Sequence, residues 1–186
     1  MAVIDPGGWS ESEALRGANV VLATHEHSDH IDPQMVADFS GGVYVPAGAK
    51  VEGLEVVNLN VGDRVELGGF TVEAVGGLHA PVVAHQETCV NIGYIIDDLV
   101  YHPGDALHVP DRQIDTLFVP IQASWLKTAE AIDFVNRVAP RQAFGMHEGQ
   151  VNERGVAILN HWLAQECRGV YRWLAAGETV TFDPPK

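Results

Sequence analysis

Short apolar runs separated by glycine pairs set the rhythm of this chain. Gly7-Gly8, Gly41-Gly42, Gly68-Gly69 and Gly76-Gly77 each interrupt stretches rich in Val, Ile, Leu and aromatic residues, and short apolar runs bounded by turn signals read as strands. The pattern predicts strands over 20–24, 43–45, 55–59, 64–67 and 70–75, and again over 92–97, 99–102, 116–120 and 142–146. Leu67-Gly68-Gly69-Phe70, and Asp97-Asp98 between two apolar runs, read as hairpin turns. Helical spacing predicts a short helix over 33–39 with Asp32 as its N-cap. A second helix is predicted over 128–138, with Ala131, Ile132, Val135 and Val138 apolar, Thr128 as cap and Pro140 as stop. A third, over 152–167, carries Val156, Leu159, Leu163 and Cys167 on one stripe. Many strands mixed with few helices imply two packed sheets with helices outside. No repeat, low-complexity tract or linker divides the chain, so residues 1–186 are expected to form a single domain.

One segment does not fit a packing role. His25-Glu26-His27-Ser28-Asp29-His30 follows the apolar run Asn19-Val20-Val21-Leu22-Ala23-Thr24, which places three imidazoles and a carboxylate on a loop leaving a buried strand. Imidazole and carboxylate are the usual ligands of zinc and also suit iron, nickel and manganese. Side chains two apart on an extended segment share a side, so His25 and His27 can close on one ion while Asp29 and His30 reach towards a second. The alternative is a solvated histidine-rich turn. Two ions need further donors, and three other predicted strand ends supply them: His79 after 71–78, Asp105 in His102-Pro103-Gly104-Asp105, and His147 after Gln142-Ala143-Phe144-Gly145-Met146.

Composition narrows the partners. The 46% hydrophobic and 19% charged content is that of a folded chain, and no stretch approaches the roughly 20 apolar residues that span a membrane. With no basic leader the expected location is the cytoplasm. Eleven basic against 25 acidic residues give a net charge of −14, which disfavours nucleic acid, whose binding needs clustered cations. A small anionic substrate stays compatible, because bound dications invert the local potential. Cys89 and Cys167 show no metal-type spacing and are expected as reduced thiols.

Taken together, Thr24-His25-Glu26-His27-Ser28-Asp29-His30, Leu78-His79-Ala80, Tyr101-His102-Pro103-Gly104-Asp105, Met146-His147 and Asp5-Pro6-Gly7-Gly8 resemble the metallo-β-lactamase superfamily. Within it they are similar to small metal-dependent hydrolases of the ascorbate-phosphate lactonase kind. The resemblance implies an αββα sandwich, of α+β class, with its site at one edge. It also implies two divalent metal ions, zinc first, with manganese, nickel or iron open. His25, His27 and His79 would hold the first ion, and Asp29, His30 and His147 the second. Asp105 would bridge them together with a water or hydroxide, and Asp29 would help orient that hydroxide. The expected activity is hydrolysis of a small ester, lactone or phosphoester. The other readings are a non-catalytic metal-binding or regulatory module, and an iron oxidoreductase of the same fold. The flavin-linked di-iron relatives generally place a glutamate where His27 stands, which weighs against the last.

Other residues carry smaller expectations. His85 is the rival of His79 as third imidazole and otherwise a pocket residue, and Trp125 is either a substrate wall or packing. His102 is expected in an outer hydrogen-bonding role, Glu26 turned away from its neighbours, and His108 and His161 in surface or packing roles. Similar proteins usually carry one or two strands ahead of Asp-Pro-Gly-Gly, which begins here at Asp5. A sheet left open by their loss invites pairing with another chain, so a homo-oligomer is expected.

Overall fold

A computed structural model describes residues 1–181. Two sheets face each other. The first is parallel throughout, in the order β1 (Ala2–Ile4), β2 (Val20–Leu22), β3 (Gly42–Pro46), β4 (Val57–Leu59). The second contains β5 (Arg64–Leu67), β6 (Phe70–Leu78), β7 (Val90–Ile96), β8 (Val100–His102), β9 (Thr116–Pro120), β10 (Gln142–Met146) and β11 (Val170–Trp173), neighbours in that order. Its β5–β8 half is antiparallel and its β8–β11 half parallel.

Strand alternation divides the core into three layers. Val20 and Leu22 point between the sheets, where they meet Leu59, Val72, Ala74, Ile92 and Tyr94. The intervening Val21, with Ala23 just beyond the strand, packs outward against Val36 of α1 (Pro33–Val36) and against Ile31, Val43 and Val45. A parallel strand covered on both faces reads as a continuous apolar run, as β2 does. On the far side, Phe134 and Val135 of α2 (Thr128–Val138) and Leu163 of α3 (Glu153–Glu166) pack on Ile95, Tyr101, Leu117 and Val119. The layer order is therefore helix, sheet, sheet, helix, as the family resemblance implied. No helix of the described residues is long and apolar enough to cross a membrane.

Both hairpin turns form as expected. Gly68 and Gly69 have φ of 59° and 87°, and Asp97 and Asp98 have φ of 52° and 56°, the double positive φ of the turn that matches strand twist. Some elements differ from the pattern. β6 runs through Gly76-Gly77 to Leu78, because pairing of 76–78 with Ile92, Asn91 and Val90 outweighs the local turn signal. The first helix stops at Val36. Thr128 is the first helical residue of α2 and not its cap; Lys127 takes that place, its backbone N–H donating to Glu130 Oε2 at 2.9 Å. The strands β1 and β11, of three and four residues, are too short for a period to show.

Beside the backbone bond from Ile92 N on β7 to the Thr24 carbonyl (2.9 Å), a second buried bond joins the two sheets near the site: Tyr94 on β7 donates its hydroxyl to the Ala23 carbonyl just past β2, at 2.7 Å. Removing it strands a buried acceptor. Tyr94→Phe is expected to cost about 1–3 kcal/mol, read as a shift in the urea midpoint. An unchanged midpoint would mean that this bond does not couple the sheets.

Candidate metal centre

Strand direction brings the donors together. β6 and β8 both run antiparallel to β7, and β9 and β10 continue parallel to β8. The C-terminal ends of β6, β8 and β10 therefore lie along one sheet edge, and His79, Asp105 and His147 each follow one of them. Thr24–His30 leaves β2 of the facing sheet towards the same place. Gly104 makes the close approach possible: its φ is 63°, and a Cβ there would collide with Asn91 Oδ1 and sit 2.6 Å from Thr24 Cβ. Asn91 fixes this loop from below, with Nδ2 donating to the Pro103 carbonyl (2.9 Å) and Oδ1 accepting from Asp105 N (3.0 Å). Gly7 presses on the histidine loop so closely that a Cβ would overlap the Asp29 backbone.

The seven donor-type residues expected from sequence fall into overlapping groups: His25, His27 and His79; Asp29, His30 and His147; and His25, His30 and Asp105. Asp105 joins the first two. Its Oδ2 lies 3.4 Å from His79 Nε2, while its Oδ1 lies 3.4 Å from His30 Nε2 and 3.3 Å from His147 Nε2. Asp29 Oδ2 is 3.7 Å from His147 Nε2 and 3.9 Å from His30 Nε2.

The outward atoms decide which lone pairs point inward. His79 Nδ1–H donates to the Ala80 carbonyl (2.5 Å) and His147 Nδ1–H to the Gln122 carbonyl (2.6 Å). His30 Nδ1–H donates to Asp5 Oδ2 (2.8 Å). Thr24 Oγ1 gives its proton to Asp5 Oδ2 (2.8 Å), so it accepts from His25 Nδ1–H (3.1 Å). Four imidazoles thus tie Nδ1 outward and turn Nε2 towards the centre, the arrangement in which metal-binding histidines are held by outer partners. His27 is reversed: its Nδ1 faces His25 Nε2 at 3.0 Å, and its Nε2 faces Cys89.

Electrostatics separate the rings. Burial would lower His30, but Asp5, Asp105 and Asp29 overcome it and push its pKa up to about 9. Burial, with His30 alongside, drives His25 down to about 2. Burial would raise Asp105, yet His79 beside it, with His147 and His30 nearby, holds it well below the usual carboxylate range. Asp5 is likewise held low, against burial, by His30. Burial and Glu26 push the Cys89 thiol up, which argues against a nucleophilic thiolate.

The residues fit metal ions. Donors about 2.05 Å from a tetrahedral zinc stand about 3.3 Å from each other; here the inward atoms of the pairs His25–His27, His30–His147, His79–Asp105, His30–Asp105, His147–Asp105, His30–Asp29 and His147–Asp29 stand 3.0–3.9 Å apart, within groups whose donor atoms all lie within 4.8 Å of one another. Asp105 Oδ1 is buried with no hydrogen-bond partner, a costly state for a carboxylate oxygen unless a cation meets it.

The remaining expectations resolve as follows. Trp125 donates its indole N–H to Asp105 Oδ2 at 2.9 Å, so its polar edge serves the carboxylate. His85 stands exposed on the loop between His79 and Cys89, outside all three donor groups. His102 is half-buried, its Nδ1 accepting from Gly104 N at 3.3 Å. Glu26 turns outward and accepts from Lys50 N. Asp5 and Asn91 are the partners sequence reasoning missed. Their signals were present: a carboxylate opening the Asp-Pro-Gly-Gly turn, and a lone amide within an apolar strand.

The sequence pattern described as the beta-lactamase superfamily domain matches residues 1–147. The chain belongs to the β-lactamase superfamily. Among relatives in it, Rv0786c of Mycobacterium tuberculosis is 35% identical over 192 residues, spanning 97% of this chain and 91% of its own. A UPF0173 metal-dependent hydrolase of Thermoplasma acidophilum is 26% identical over 147 residues, spanning 69% and 65%. Among solved structures of the fold, the metallo hydrolase Igni18 of Ignicoccus hospitalis superposes with a TM-score of 0.71 at 18% identity, covering 99% of this chain and 91% of that one. The diiron β-hydroxylase CmlA of Streptomyces venezuelae does so at 0.62 and 14%, covering 83% and 43%. The superfamily fold thus hosts both hydrolytic and oxidative chemistry, and the site must decide between them.

Asp5 touches no inward donor atom, yet it holds both Thr24 and His30. Asp5→Ala is expected to weaken zinc binding about 10–100-fold, the usual effect of losing an outer partner, as measured by competition with a chromophoric chelator. Wild-type affinity would contradict the role given to it.

Proposed function

We propose that this superfamily member is a metal-dependent hydrolase that holds two divalent ions. His25, His27 and His79 would hold the first and Asp29, His30 and His147 the second, with Asp105, which faces both groups, shared between them. The observation that carries this reading is the facing of Asp105 Oδ2 to His79 and of Asp105 Oδ1 to His30 and His147 at 3.3–3.4 Å. Relatives named metal-dependent hydrolases support the reaction class. Five imidazoles among seven donors favour zinc, with manganese and nickel next.

Two such ions, when bound, bring a water's pKa towards neutrality and draw charge from a substrate carbonyl or phosphoryl oxygen. The chain's own groups prepare for this. Outward hydrogen bonds at Nδ1 hold four rings with Nε2 facing the centre. Asp5, Asp29 and Asp105 place three negative charges around the centre, offsetting most of the charge of two dications. Trp125 fixes the tilt of the Asp105 carboxylate. Asp29, 21% exposed, is the carboxylate of the cluster with solvent access and is placed to orient a water and accept its proton. A small ester, lactone or phosphoester suits this arrangement.

The test uses chromogenic esters and phosphoesters together with a lactone panel. Chelator is expected to abolish turnover and zinc to restore it. Asp105→Ala is expected to lose more than about 100-fold, beyond the 10–100-fold of an outer partner. Turnover that survives chelation, or a fully active Asp105→Ala, would contradict the proposal.

A further inference from the structure

Four of the five site imidazoles are anchored from outside by oxygen: Thr24 Oγ1 for His25, Asp5 for His30, and the carbonyls of Ala80 and Gln122 for His79 and His147. Among the described residues His27 has no such oxygen. It is also the exposed member of its donor group, the other two being buried. Among the described residues the one partner of its outward Nε2 is Cys89 Sγ, at 3.8 Å.

Cys89 is not on loose chain. Its carbonyl accepts from His79 N at 3.1 Å, one rung beyond the Leu78–Val90 pair that ends the β6–β7 ladder. The thiol is thus pinned opposite a candidate ligand of the same ion. Nor is it placed as a fourth ligand: Cys89 belongs to none of the groups whose donor atoms lie within 4.8 Å of one another, and it meets the nitrogen of His27 that points away from His25.

We propose that Cys89 is the positioning residue of His27, its sulfur accepting from Nε2–H so that Nδ1 stays aimed at the first ion. The proposal rests on the dinuclear reading above. With Nδ1 facing inward as an acceptor of the ion, the ring proton lies on Nε2, and the sulfur is the atom in reach of it. Sulfur is a weak acceptor, so His27 is the least firmly held ring of the five, and the first ion is the more readily lost. Cys89 thereby sets the affinity of one site without touching its metal.

Zinc alone is the probe. Wild-type, Cys89→Ala, Cys89→Ser and Cys167→Ala proteins are stripped and then titrated in competition with a chromophoric chelator. All four are expected to bind two equivalents. In Cys89→Ala the weaker equivalent is expected to weaken about tenfold or more, while Cys89→Ser recovers most of that loss because its hydroxyl also accepts. Cys167→Ala, remote from the centre, is expected to match wild type. Cobalt-loaded wild type is expected to lack a thiolate-to-metal charge-transfer band. Three results would overturn the role: unchanged affinity in Cys89→Ala, a serine variant as weak as alanine, or a thiolate band lost in Cys89→Ser, which would make Cys89 a ligand. Wild-type protein that takes up no zinc would overturn the dinuclear reading itself and this role with it. Two equivalents bound alike by wild type and Cys89→Ala would remove this role alone.

Discussion

The Asp5 carboxylate is the tie on which the centre's geometry depends. Its Oδ1 accepts from Thr24 N at 2.7 Å, and its Oδ2 accepts from both Thr24 Oγ1 and His30 Nδ1 at 2.8 Å. One buried group thereby fixes the strand exit that carries His25 and the ring that closes the histidine loop 6 residues after Thr24. A buried carboxylate survives only if charged or polar donors surround it, and here those donors are the residues that must be oriented. The positive φ of Asp5, 53°, turns the chain so that Gly7 can lie on the Asp29 backbone.

From that tie outward, the fold works as a device for convergence. Parallel and antiparallel pairing in the second sheet puts three strand ends at one edge, and the first sheet delivers the histidine loop to meet them. Tyr94 and Asn91 on β7 then join this edge to the interior, one through the Ala23 carbonyl and the other through Pro103 and Asp105. The seven donors come from four separate parts of the chain, so no one local element could hold them in place. Rigid strands with short exits can, and sites built on such elements keep their geometry better than sites on long loops.

Much of this was legible in the sequence. The runs 64–67, 116–120, 128–138 and 142–146 match their elements to the residue, because each is a clean periodic stretch closed by turn or stop residues. His79, Asp105 and His147 could be placed because each directly or closely follows such a run. What escaped depended on contacts distant in sequence. β6 passes through two glycines because β7 pairs with them, and pairing across strands carries no local signal. The partners Asp5–His30, Trp125–Asp105 and Cys89–His27 join residues separated by 25, 20 and 62 positions, and residue type alone does not reveal which atoms meet. Trp125 shows the limit well. A tryptophan beside a site suggests a substrate wall, yet its N–H is directed at the carboxylate.

The central claim is that one buried carboxylate is shared between two ions. Elemental analysis of the gently purified chain, repeated after reconstitution with excess zinc and removal of unbound metal, tests it most directly. The account predicts close to two metal ions per chain, falling to one or fewer in Asp105→Asn. A saturated chain that holds a single ion, or an Asp105→Asn variant that keeps two, would contradict it.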